Sequence, residues 1–121
     1  MKIKAIRYPT TLDKIEDITN DNIDVFVELE DGHSYTVIVA TLKNIQTLMG
    51  SSGYLRPGLA PQFVIVRELT KELITTAIEA HAEEDNGLWI KLSHLTTEFY
   101  ISELDEILEK RRKLYGDNFH E

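Results

Sequence analysis

Asn22-Ile-Asp-Val-Phe-Val-Glu-Leu-Glu-Asp-Gly-His-Ser-Tyr-Thr-Val-Ile-Val-Ala-Thr41 contains two alternating apolar runs separated by Glu30-Asp31-Gly32. Apolar alternation broken by an Asp-Gly pair specifies a β-hairpin. Loop length then sets the register. A loop of Asp31 and Gly32 alone pairs Glu28 with Tyr35 and Val27 with Thr36, which splits the apolar residues between two faces. A longer loop with Gly32 in the left-handed conformation pairs Val27 with Tyr35, Val25 with Val37 and Ile23 with Val39. That register gives one apolar face and is the one expected. The opposite face then carries Asp24, Phe26, Glu28, Ser34, Thr36 and Ile38.

Upstream, Ile3-Lys-Ala-Ile-Arg7 alternates and ends at Tyr8-Pro9, where proline stops ladder bonding, so it is expected as an edge strand. Residues 10–22 are polar, with room for a turn of helix at residues 12–18. Downstream, Leu42, Ile45, Leu48 and Met49 have helical spacing and stop at Gly50, which suits a short helix. Residues 50–61 have no periodicity and read as a loop carrying Tyr54 and Arg56. Gln62-Phe-Val-Ile-Val-Arg67 reads as a strand buried on both faces and therefore central in the sheet.

Thr70 is positioned to cap a helix over residues 71–84, with Leu69 stapled to Ile74 and Leu73, Ile74, Ala77 and Ile78 turned inward. Asp85-Asn86-Gly87 ends it. Residues 88–95 alternate as Leu88, Ile90 and Leu92 against Trp89, Lys91 and Ser93, and are expected as a further strand. A last helix is expected from Ser102, paired with Asp105 in a capping box and burying Leu104, Ile107, Leu108 and Leu114. Its acidic start and Lys110-Arg-Arg-Lys113 near its end both complement the helix dipole. The fold class is therefore α+β: one domain with an antiparallel or mixed sheet of about five strands and two to three helices packed on one face.

The chain has 121 residues, 42% hydrophobic and 28% charged, enough to form one core without aid. It contains no cysteine, which excludes disulfides, thiolate chemistry and cysteine-bearing zinc sites. No apolar run suggests a signal peptide or membrane span, so a cytoplasmic location is expected, with no membrane partner. The net charge of −8 opposes binding to nucleic acid. It is gathered in two stretches without Lys or Arg. Residues 15–42 hold Glu16, Asp17, Asp21, Asp24, Glu28, Glu30 and Asp31, and residues 72–90 hold Glu72, Glu79, Glu83, Glu84 and Asp85. If the two converge, they would steer a basic protein partner; if not, they are ordinary solvated faces.

Four histidines, His33, His81, His94 and His120, form no motif. His81 precedes Glu84 by three residues and Asp85 by four, which puts them on one helical face, yet this is an incomplete metal-ligand set. Gly50-Ser-Ser-Gly53 lacks the Gly-Lys-Ser/Thr ending of a phosphate loop. No cofactor, metal or catalytic residue is expected, and a non-enzyme is the reading. An exposed Trp89 would be an interface anchor.

The quoted run 22–41 and Ala80-His-Ala-Glu-Glu-Asp-Asn-Gly-Leu-Trp-Ile-Lys-Leu92 together resemble stretches of small bacterial proteins, over about a quarter of the chain. In type the chain is similar to immunity proteins, which bind and neutralise toxin domains. This resemblance implies protein binding and carries over no site residues. The expected contact residues come from charge and exposure instead: Asp24, Glu28, Glu30, Tyr54, Arg56, Glu83, Glu84, Asp85 and Trp89. Two alternatives stand beside it. One is a small-ligand domain or minor enzyme using His81, Glu84, Asp85 and the 50–61 loop; the other is a homo-oligomer, such as a homodimer, formed through the sheet face or a free edge strand.

Overall fold

Gly32 has φ +84°, and the hairpin turn closes through Gly32 N–H to the Leu29 carbonyl at 3.0 Å and Leu29 N–H to the His33 carbonyl at 3.1 Å. The computed structural model describes residues 1–57, 63–95 and 100–116. Strands β2 (Asn22–Leu29) and β3 (Ser34–Thr41) pair Val27 with Tyr35, Val25 with Val37 and Ile23 with Val39, the register that the longer loop requires. One face therefore carries Ile23, Val25, Val27, Leu29, Val37 and Val39, all buried.

Strand β1 (Ile3–Arg7) adds antiparallel to β2 as an edge strand, as expected, and β4 (Phe63–Val66) adds parallel to β3. The result is a mixed sheet of four strands in the order β1-β2-β3-β4. β4 is thus an edge and not a central strand. Val64 and Val66 enter the core, but Ile65 is 54% exposed on the other face. An unbroken apolar run suggested cover on both sides; here the second side is only partly covered.

Helix α1 (Leu42–Met49), capped by the Thr41 hydroxyl accepting from Asn44 N–H at 3.2 Å, belongs to the crossover that a parallel β3–β4 pair needs. Asn22 has the same strand parity as Asp24 and Phe26, and its side chain donates to Asn44 Oδ1 at 2.9 Å. α1 therefore closes the Asn22 end of the second face, so the helices do not all lie on one side.

The first face is covered by α2 (Lys71–Glu83) and α3 (Leu88–Leu95). Thr70 caps α2 by accepting from Leu73 N–H at 3.3 Å, and Leu69, Ile74, Ile78 and Ala82 are buried. Leu73 and Ala77 are only partly so. Residues 88–95 are a helix, not the expected fifth strand. Asp85, Asn86 and Gly87 all have left-handed backbone, at φ 45°, 56° and 83°, a run that these residue types tolerate and that turns the chain sharply back on itself. α3 then buries Ile90 and Ser93, a helical spacing that an eight-residue alternation could not reveal.

Helix α4 (Ile101–Tyr115) begins one residue before the expected Ser102, with Tyr100 as N-cap and no side-chain cap bond. None of its residues is buried: Leu104, Ile107, Leu108 and Leu114 are all exposed, contrary to the inward stripe expected of them. No helix among the described residues is long and apolar enough to cross a membrane.

Gly87 is buried, and a Cβ built there would lie 3.3 Å from Leu29 Cδ1 and 3.7 Å from Met1 Cβ. Gly87→Ala combines this crowding with positive φ and is expected to cost about 1–3 kcal/mol. Ile78→Ala, which empties the centre of the core, is expected to cost about 2–5 kcal/mol. Urea unfolding monitored by Trp89 fluorescence measures both.

Candidate functional site

Along α2, the buried row Ile74, Ile78 and Ala82 runs beside a second row at the same spacing, Thr75, Glu79 and Glu83. This second row forms one wall of a groove of about 570 Å³ whose other wall is the free edge of β1. Met1, Lys2, Ile3 and Ile6 line that wall, the Met1 ammonium donating to the Ala82 carbonyl at 2.8 Å, and Glu30 closes the end from the hairpin turn. Glu30 is held in place twice: its N–H donates to the Lys2 carbonyl at 2.9 Å, and its carboxylate accepts from Lys2 N–H at 3.0 Å. One acid from the first acidic stretch thus meets two from the second. Glu79 and Glu83 are exposed like charges four residues apart, an arrangement that costs an isolated helix about 0.2–0.5 kcal/mol.

The remaining nominated residues lie elsewhere. Glu28 is half-buried and paired with Arg7 at 3.2 Å and Lys4 at 3.9 Å, so its charge is offset. Asp24 lies on the second sheet face, bordering a hollow shared with Asp21 and Lys14. Tyr54 and Arg56 are exposed on the segment after α1, and residues 58–61 of that loop lie outside the described residues. Asp85 is exposed at the left-handed turn.

His81, Glu84 and Trp89 do come together. With Phe63, Val64, Ala80 and Ser93 they line a cavity of about 270 Å³ between β4, α2 and α3. Tyr54, Arg56 and Asp85 do not line it, so the grouping expected for a ligand site assembles only in part. His81 Nδ1–H donates to the Ala77 carbonyl at 2.8 Å, which fixes the ring and leaves Nε2 as its second polar atom. Trp89, 44% exposed, stands at this cavity instead of projecting from a sheet.

One polar cluster escaped the sequence reading because it depends on α3 being a helix. The Tyr35 hydroxyl donates to Asp31 Oδ2 at 2.7 Å, His33 N–H donates to Asp31 Oδ1 at 2.9 Å, and Lys91 Nζ lies 3.7 Å from Asp31. Tyr35 and His94 meet edge to face at 5.5 Å, and His94 Nδ1 accepts the Thr36 N–H at 3.1 Å. Burial, followed by the Asp31 hydrogen bond and charge, pushes the Tyr35 phenol up to about 12. The His33 N–H and then the Tyr35 hydroxyl hold Asp31 below the usual carboxylate range. A phenol so reluctant to ionise is a poor acid–base group near neutrality. The cluster fastens α3 to the hairpin. The Asp31–Tyr35 spacing around the turn was its only signal in the sequence.

Compared with protein-family models, curated proteins and solved structures, the chain matches none. Among the described residues, no group of three or more His, Asp or Glu is placed to hold a metal ion.

Because the Tyr35 value is raised in the folded state, its contribution to stability is complete below pH 10 and is lost as pH rises toward about 12. Asp31 acts at the other end of the scale, stabilising above its ordinary value and losing that effect as acid protonates the folded carboxylate. Ultraviolet titration of phenolate should show late ionisation of Tyr8, which burial also raises, and of Tyr35, the latter component lost in Tyr35→Phe. In Asp31→Asn Tyr35 should ionise earlier while keeping the part of the shift due to burial.

Proposed function

We propose that this chain is an acidic recognition module that binds a basic protein partner along the groove between β1 and α2. The observation that carries this reading is the convergence of Glu30, Glu79 and Glu83 on the free edge of a strand. An edge strand offers backbone hydrogen bonds to an extended segment, and the flanking acids favour a basic one. The repulsion between Glu79 and Glu83 supports the same reading, since a cationic partner would relieve it. The partner's chemistry fits a basic toxin domain, and we assign the module to the immunity type, acting by occluding its target.

Binding of this kind weakens with added salt, because the groove is open and its acids are exposed. A charge-reversed variant, Glu30→Lys/Glu79→Lys/Glu83→Lys, should lose partners captured from the native host at low salt. Asp24→Lys, on the other sheet face, should retain them. A partner profile identical for wild type and the triple variant, or insensitive to salt, counts against the proposal.

A second reading rests on the cavity lined by His81, Glu84 and Trp89. Its volume of about 270 Å³ is just below the usual lower bound of about 300 Å³ for drug-sized ligands, so its occupant would be small. Trp89 fluorescence during a screen of small cationic and aromatic compounds tests this. Quenching that disappears in Glu84→Gln would favour it; an unchanged spectrum would remove it.

A further inference from the structure

We propose that α4 pairs antiparallel with the α4 of a second copy of this chain. Ile101, Leu104, Leu108, Arg111 and Tyr115 recur at alternating three- and four-residue spacing, the pattern of a helix–helix seam, and Ile107 and Leu114 widen one side of it. The apolar members of this stripe are exposed, from 40% at Leu104 to 77% at Leu114. Fifteen residues is near the length below which an isolated helix is marginal in water, about 12–15, so a stripe of this kind needs packing to persist.

Charge selects both the occupant and its direction. Acids Glu103, Asp105, Glu106 and Glu109 fill the first part of α4, and Lys110, Arg111, Arg112 and Lys113 fill the last. A parallel pair would set the basic runs side by side and Arg111 against its own copy. Turning one helix end for end about Leu108 instead opposes each acidic half to a basic half. Asp105 and Arg112 lie on the same flank of the seam, and the two-fold operation brings Asp105 of one copy beside Arg112 of the other, twice over, to share the guanidinium that Glu109 holds within its own helix. Arg111, whose guanidinium lies 5.6 Å from the Tyr115 ring centroid, falls opposite the Asp105–Glu106 turn of the second copy. A helix that complements itself in this way specifies its own copy as partner.

The surface differs from the β1–α2 groove, so the two proposals stand or fall separately. Sedimentation velocity of the full chain over a range of concentrations should show a monomer–dimer equilibrium. Asp105→Arg alone should weaken the dimer on the order of tenfold, and Arg112→Asp should do likewise, while the double variant Asp105→Arg/Arg112→Asp should recover most of the loss. Circular dichroism checks that each variant keeps the fold, in which no α4 residue is buried. The absence of native cysteine allows a direct reading of direction: Leu108→Cys should form disulfide-linked dimers, and Ile101→Cys should link to Tyr115→Cys but not to itself. A monomeric profile at every concentration overturns the proposal. So does failure of the double variant to recover, or self-linking of Ile101→Cys.

Discussion

The left-handed conformation of Gly32 is the constraint on which the rest of the structure depends. It admits a loop one residue longer than the tightest hairpin, and that residue sets the parity of every side chain in β2 and β3. Ile23, Val25, Val27, Val37 and Val39 then share a face that α2 and α3 can cover. With the other parity, the same valines would be divided between core and solvent. The burial of Ile74, Ile78 and Ile90 would then have no matching surface. One backbone angle thus gives the sheet its inside.

Because α2 and α3 cover the first face while α1 closes only one end of the second, the charges become organised. The row Thr75, Glu79 and Glu83 follows the buried row of α2 at the same pitch, so packing Ile74 and Ile78 against the sheet leaves the two glutamates along the edge of β1. Glu30 arrives there because the hairpin turn is hydrogen-bonded to the start of that strand. The acids at Glu28 and Asp24, on the far face, have different neighbours: Glu28 is matched by Lys4 and Arg7, and Asp24 has Lys14 nearby. The groove acids have Lys2 and the Met1 ammonium at their border, so the two faces differ in which cations stand beside their acids.

Much of this architecture was legible because its signals are local. The hairpin register, the short helix ending at Gly50, the helix capped by Thr70, and the edge position of β1 each follow from a few adjacent residues. Residues 88–95 failed because an apolar alternation only eight residues long fits helix and strand alike, and what decides it is the left-handed run at Asp85-Asn86-Gly87 before it. β4 was misplaced because its apolar character reports hydrophobicity and not the number of neighbours. The helix of α4 was legible, but the burial expected of Leu104, Ile107, Leu108 and Leu114 is not found, because a stripe does not say which molecule it packs against. At the site, convergence of the two acidic stretches could be posed as a question from the sequence. The choice of Glu30, Glu79 and Glu83 required the groove, and the separation of Tyr54 and Arg56 from His81 required the fold.

Among the described residues β4 pairs with β3 from Ile38 to Thr41, and Thr36 lies toward the hairpin from there. The imidazole of His94, on α3, accepts the Thr36 amide hydrogen. For this the ring must present a lone pair at Nδ1, which puts the proton of the neutral form on Nε2. The Thr36 amide donor is thus satisfied by a side chain of α3. The same imidazole meets Tyr35 edge to face, so one side chain of α3 holds both the backbone and a ring of β3, and the angle between helix and hairpin is set from two directions.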